Sequence, residues 1–347
     1  MSCSIFNSLK SSLLSWLKKD PLQIITFQSY GTHAHLYIWG RALEDEIIDL
    51  THKRYFDLLV NSWKRFESDE IKHALLNIKL PNDRVLNVTT DSHGYFRLDQ
   101  PITGLENLVD SEGWLSYEVS YAEEHAGRSI QKNNEFPGQI LIPSSRASFG
   151  VISDIDDTIL HTGVVSSLKW QVIYNTIFRP AGRRVPLKGA AEFYHKLHNG
   201  IKGDEANPIF YVSHSPWNLY RYLEYFLTEN DFPKGPILLR SFRNILRRKA
   251  KGEKPQKQKE IMSILETYPD LPFILIGDSG EKDPIIYMEI ANQYPERIKA
   301  IYLRGVESKE KILGVKSLLE NYRATPALLV EDSEQAIHHA RNMGFVK

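Results

Sequence analysis

The sequence predicts an α/β protein in two parts. A parallel sheet with helices on both faces is expected over residues 148–347, and a β-rich, sandwich-like domain with a helical insertion over residues 22–147. Three observations carry this. From residue 148 onward, continuous apolar runs at 149–153, 208–213, 236–241, 273–277, 298–303 and 327–331 alternate with amphipathic segments such as 190–197, 219–227 and 259–265. Strands apolar on both faces belong to a parallel sheet covered on both sides. Residues 22–147 instead carry short β-rich runs bounded by turn signals. Finally, the run 149–152 ends in Ser153, Asp154, Ile155, Asp156, Asp157 and Thr158. Carboxylates crowded at the carboxyl end of a central parallel strand have a purpose if a metal ion or phosphoryl group is handled there.

The elements follow in order. In residues 1–21, Ile5, Phe6, Leu9, Leu13, Trp16 and Leu17 share a helical face, with Lys10, Lys18 and Lys19 beside it, and Pro21 stops the run. Such a stripe fits a helix packed on the protein body, or one resting on a membrane surface. Strand-like runs then fall at 24–27, 35–39, 84–88 and 114–119, and Asp91 to Phe96 reads as a tight turn into a strand. One amphipathic stretch, 55–66, interrupts them with Leu58, Leu59 and Trp63 at helical spacing. This half shows no metal-ligand spacing and no nucleophile motif; His33, His35 and His93 are scattered, as structural or solvated histidines are.

Composition narrows the functional classes. The 347 residues carry 43 basic and 43 acidic side chains, which argues against nucleic-acid binding by bulk charge. The one cysteine, Cys3, excludes an intrachain disulfide framework and a thiolate zinc finger. No stretch approaches the roughly 18 apolar residues of a spanning helix, and the first residues lack the apolar run of a secretory leader. The expected location is the cytoplasm.

Four pieces lie at strand ends, where an open α/β sheet places its crevice. They are Asp154/Asp156/Thr158; Ser213, followed by His214, Ser215, Pro216 and Trp217; the lysines Lys254, Lys257 and Lys259 ahead of a helix; and Asp278 with Asp283, after Phe273 to Ile276. Each suits phosphoryl transfer. A carboxylate attacks phosphorus and divides one hard displacement into two easier ones. The phosphate dianion repels that carboxylate, so an oxygen-bound divalent cation is needed, and Mg²⁺ suits one or two carboxylates plus substrate oxygens and water. Asp154 and Asp278 supply carboxylates from neighbouring strands. Asp156, two residues on, is placed to protonate the leaving alkoxide and deprotonate water. Ser213 and a lysine supply a hydroxyl donor and a positive charge for the phosphoryl oxygens.

This set resembles the four motifs of the haloacid dehalogenase (HAD) superfamily. More narrowly, Ser153 to Ile159, Tyr211 to Asn218 and Ile274 to Pro284 resemble the actin-patch-protein type of Mg²⁺-dependent phosphatidate phosphatase, over roughly residues 148–310. The resemblance implies a HAD-like Rossmannoid sheet with Asp154 as nucleophile and Asp156 as general acid/base. It implies a metal shell of Asp154, Asp156, Asp278 and Asp283. Phosphate would be bound by Thr158, which also positions its loop, and by Ser213, Ser215 and Lys257. Lys257 stands where the family places its lysine, with Lys259 two residues away. Ser215 is equally readable as a helix cap ahead of Pro216 and Trp217. His214 departs from the family, which often has serine there.

Two segments bear on substrate. The insertion 162–189 carries Trp170, Ile173, Tyr174, Ile177 and Phe178, then Arg179, Arg183, Arg184 and Lys188. It reads as a small cap meeting an anionic lipid, or as an ordinary amphipathic helix with a solvated basic loop. Residues 240–259 hold nine basic side chains against one acidic residue, Glu253, which suits contact with an anionic membrane or a solvated loop; short basic runs also touch nucleic acid, but no aromatic interleaving supports that here. The expected reaction is hydrolysis of phosphatidate to diacylglycerol and phosphate through an aspartyl-phosphate. The alternatives are a HAD phosphatase for a soluble phosphomonoester and a lipid- or protein-binding module with a decayed site.

Overall fold

A computed structural model describes residues 21–44, 70–105, 107–123, 128–155, 189–240, 254–279, 282–305 and 309–347. The expected helices at 1–21 and 55–66, Asp156 and Thr158, the insertion 162–189 up to residue 188 and most of the basic stretch lie outside them.

The amino-terminal part is built from β1 (Leu22–Thr32), β2 (His35–Glu44), β3 (Leu75–Lys79), β4 (Val85–Thr89), β5 (Tyr95–Pro101), β6 (Trp114–Tyr121) and β7 (Phe136–Leu141). They pair in the order β4-β3-β6-β7-β1-β2-β5 as one seven-stranded sheet. All pairs are antiparallel except β1 with β7, a short parallel ladder of Ser29 and Tyr30 against Ile140 and Leu141. Inward side chains from every strand form one core, including Leu22, Ile38, Ile78, Phe96, Val119 and Phe136. The turn read at Asp91 is present: Asp91 Oδ1 accepts from the His93 and Tyr95 N–H groups at 2.7 and 3.0 Å. Gly94 there has φ of +73°, which a side chain would strain.

A register irregularity in β1 sets the other face. Phe27 pairs with Trp39, but Tyr30 pairs with Tyr37, so two residues on β1, Gln28 and Ser29, oppose one on β2, Ile38. This bulge brings Tyr30 onto the face that Ile25 and Phe27 already present by alternation, away from the sheet's own core. Phe27 and Tyr30 pack instead on the carboxy-terminal part.

That part holds β8 (Gly150–Asp154), β9 (Ile209–Pro216), β10 (Ile237–Arg240), β11 (Phe273–Asp278), β12 (Ile298–Arg304) and β13 (Ala327–Val330). Its order is β10-β9-β8-β11-β12-β13, with every pair parallel. The helices are α1 (Ala190–Asn199), α2 (Tyr220–Glu229), α3 (Gln256–Thr267), α4 (Asp283–Gln293), α5 (Lys309–Glu320) and α6 (Ser333–Asn342). α1, α2 and α6 pack on one face, through residues such as Phe193, Phe226 and Ile337 against Val151, Ile274 and Tyr302. α3, α4 and α5 cover the other, with Ile261, Ile290 and Val315 against Ile152, Leu275 and Leu303. Every residue of β8 and β11 is buried, as their unbroken apolar sequence requires.

From β8 the chain winds outward to β9 and β10, then returns to β11 and continues the opposite way. The order reverses between β8 and β11, and a doubly wound sheet opens its crevice at that point. Among the described residues, no helix is long and apolar enough to cross a membrane.

Candidate functional site

The crevice lies where two strands end in aspartate. Asp154 closes β8 and Asp278 closes β11. A third carboxylate, Asp283, occupies the first turn of α4, where the helix dipole favours a negative charge. All three are 0% exposed. One ligand oxygen from each lies within 4.8 Å of the others.

Lys257 reaches this group from the first turn of α3. Its Nζ donates to Asp154 Oδ1 at 2.8 Å and to Asp283 Oδ1 at 2.6 Å, with all three side chains fully buried. Burial alone lowers a lysine pKa, but Asp154 and then Asp283 outweigh it and hold the ammonium above its ordinary value. Lys259 is exposed two residues on. Of the two lysines weighed from the sequence, Lys257 is the one beside the carboxylates.

Close packing fixes Asp283. Tyr287, one helical turn later, donates its hydroxyl to Ile276 O at 3.0 Å and to Asp283 Oδ2 at 3.4 Å. Burial, then the Asp283 charge, pushes the Tyr287 hydroxyl well above its usual pKa, so it stays a donor. Gly277 is required beside this pair. A Cβ there would stand 2.5 Å from Asp283 Oδ2 and 2.7 Å from the Tyr287 ring.

Asp154 is supported from the opposite face. Ser153 Oγ donates to Asp154 O at 2.8 Å and shares a 2.5 Å hydrogen bond with Tyr194 of α1. The Tyr194 ring also walls a cavity of about 210 Å³ at the ends of β11, β12 and β13, with Ile276, Arg304 and Ser333.

Ser213 comes from β9. Asp154 pairs in register with Val212, so Ser213 is the next residue along the neighbouring strand. Ser213 and Ser215 are both buried, and Ser213 Oγ accepts from the Ser215 N–H at 2.9 Å. That bond closes a serine turn within a bulge of β9, where residues 213–215 oppose Leu239 alone. α2 begins only at Tyr220, after a 3-10 turn over Trp217–Leu219, and Leu219 occupies its N-cap. The structure therefore brings Asp154, Asp278, Asp283 and Lys257 together and seats Ser213 beside them; Asp156 and Thr158 lie outside the described residues.

The donor set fits a hard divalent cation. Three carboxylates and one ammonium give these four groups a formal charge of −2 in a buried space. Such an excess calls for a cation or for protonation. Oxygen donors alone select Mg²⁺-like ions over softer metals.

Sequence reading passed over Tyr287, Tyr194 and Ser153. Tyr287 had a signal, since it stands four residues after Asp283 at helical spacing. The Tyr194 contact with Ser153 depends on tertiary packing across 41 residues and had none.

Comparison with known proteins places this geometry. Residues 149–305 match the family model of the phosphatidate phosphatase APP1 catalytic domain. The resemblance to the actin-patch-protein type phosphatidate phosphatases is thereby shown. Phosphatidate phosphatase APP1 of Saccharomyces cerevisiae is 35% identical over 217 residues, which is 62% of this chain and 34% of that protein. An uncharacterised protein of Schizosaccharomyces pombe is 30% identical over 226 residues, 64% of this chain and 35% of its own length. The chain thus matches about a third of the length of these relatives. The buried group Asp154, Lys257, Asp278 and Asp283 falls inside the APP1-like segment.

Proposed function

We propose that this chain is a Mg²⁺-dependent phosphatidate phosphatase of HAD type, releasing diacylglycerol and phosphate. The observation that carries the proposal is the buried Asp154–Lys257–Asp283 group with Asp278, at the switch point of a parallel sheet. The segment's likeness to the APP1 catalytic domain supports phosphatidate as the substrate. The catalytic part is residues 148–347, with 162–189 as a small cap; residues 22–147 form the β-rich, sandwich-like part.

In this reading the Asp154 carboxylate attacks phosphorus and forms an aspartyl-phosphate. Asp156 protonates the departing alkoxide, then takes a proton from the water that opens the acyl phosphate. Lys257 orients Asp154 and Asp283 and offers its charge to the phosphoryl oxygens. Ser213 donates to those oxygens, while Thr158 and Ser215 hold the flanking turns. Asp154, Asp156, Asp278 and Asp283 would hold Mg²⁺, which supplies charge neutralisation for the approaching dianion. The protein would work in the cytoplasm and touch anionic membrane peripherally through the insertion and the basic stretch. Nucleic acid has no part in it.

The test is phosphate release from phosphatidate in mixed micelles, with and without Mg²⁺, beside a panel of soluble phosphomonoesters. Asp154→Asn should lose on the order of 10³-fold or more in kcat, by analogy with removal of a nucleophile. Full activity in that variant would defeat the mechanism. Activity confined to soluble esters would remove phosphatidate, and no turnover with any ester would leave a binding role.

A further inference from the structure

Trp217 stands four residues beyond Ser213 and two beyond Ser215, on the connection from β9 to α2. Its indole is held by the other domain. The Phe27 ring of β1 stacks on it with centroids 4.3 Å apart and planes 30° apart. Trp39 of β2 stacks at 5.3 Å and 23°. Phe27 also meets Tyr220, at 4.8 Å. The Tyr220 hydroxyl accepts from the Gln28 N–H at 2.7 Å and donates to Glu224 Oε1 at 3.2 Å.

These contacts are unlike ordinary domain packing in one respect. They grip the short segment that shapes the phosphate turn, at its outer end, while the Ser215 N–H bond to Ser213 Oγ closes its inner end. Strand alternation puts Phe27 on the face of Ile25, outside the sheet's own core and toward Trp217. Nε1 of both Trp217 and Trp39 is buried without a hydrogen-bond partner among the described residues. Buried unsatisfied donors are uncommon, so here ring stacking has set the indole positions.

We infer that the β-rich domain is a positioning part of the phosphate site: Phe27 and Trp39 hold Trp217, and Trp217 fixes the turn that carries Ser213 and Ser215. The inference rests on the phosphatase reading for the role of Ser213, not for the clamp itself. A misplacement of about 1 Å at a catalytic contact can cost on the order of 10²-fold in rate.

Two readouts on the full chain separate the ideas. Hydrogen exchange of the peptide covering residues 209–219 is compared in wild type, Phe27→Leu, Trp217→Leu, Trp217→Phe and Val119→Ala. Val119 lies in the β-rich core, away from this contact. Exchange should quicken in Phe27→Leu and Trp217→Leu, recover in Trp217→Phe, and stay at the wild-type rate in Val119→Ala even at an equal loss of melting temperature. Hydrolysis of p-nitrophenyl phosphate should fall roughly tenfold in kcat/KM in the first two variants only. Equal exchange in Phe27→Leu and Val119→Ala would overturn the clamp. Quickened exchange with unchanged kinetics would overturn its catalytic role. An inactive wild type would overturn the phosphatase reading and with it the role in phosphate positioning, leaving exchange to decide the clamp alone.

Discussion

The two sheets of this protein solve the burial of strands in opposite ways. In β8 and β11 every side chain is covered, because helices lie on both faces. In β4 and β5 burial alternates along the strand, because one face meets the core and the other meets solvent. The first arrangement brings parallel strand ends to one edge and collects Asp154 and Asp278 there. The second sends successive strands in opposite directions and collects no comparable group: the buried acidic cluster found among the described residues is Asp154, Asp278 and Asp283. Parallel topology is thus what converts two distant aspartates into neighbours.

Breaking the charged centre should have the largest effect on the fold. Lys257→Met leaves the buried carboxylates without their shared ammonium and should destabilise the protein by about 3–5 kcal/mol, read by chemical denaturation without added metal. The folded-state pKa of Lys257 is raised, so its contribution is complete below the ordinary lysine value of about 10.4 and fades only as pH rises through the higher folded value. The deficit should stay level between about pH 6 and pH 9. A variant as stable as wild type would mean that the carboxylates do not depend on the ammonium.

Metal comes next. Mg²⁺ at about 100 times its Kd should stabilise the wild type by about 2.7 kcal/mol, visible as a rise in melting temperature. Asp278→Asn should remove most of that rise. An identical rise in both proteins would take Asp278 out of the metal shell.

The smallest effect belongs to the β-rich core. Ile78→Val should cost about 0.5–1.5 kcal/mol by denaturation, with kcat/KM for a phosphomonoester unchanged. A matching loss of turnover would show that the two sheets cannot be perturbed separately.

How much of this was readable from the residues differs between the halves for the same reason. The six parallel strands were visible as apolar runs, and Asp154, Asp278 and Asp283 as residues at or just past their ends. Among the amino-terminal strands, Phe136–Leu141 starts with Phe-Pro-Gly, a turn-like composition, and Leu75–Lys79 has Ile78 as its one residue of strong strand preference; neither stood out. Lys257 and Lys259 could be separated only by the helix that buries one and exposes the other. Trp217 was visible within its motif, but its partners Phe27 and Trp39 lie far away in the chain, and only the packing of the two sheets shows which residues meet it.

That long separation also matters while the chain is being made. Gln28 and Tyr220, which share a hydrogen bond across the domains, are 192 residues apart. At roughly 5–20 residues per second, ribosomal synthesis needs on the order of ten seconds or more to deliver the second after the first. During that interval Phe27 and Trp39 have nothing to cover them from the later half. The nascent β-rich domain therefore carries a temporary adhesive face, the kind of surface that a chaperone engages and that a growing neighbour on the same messenger can mistake for its own.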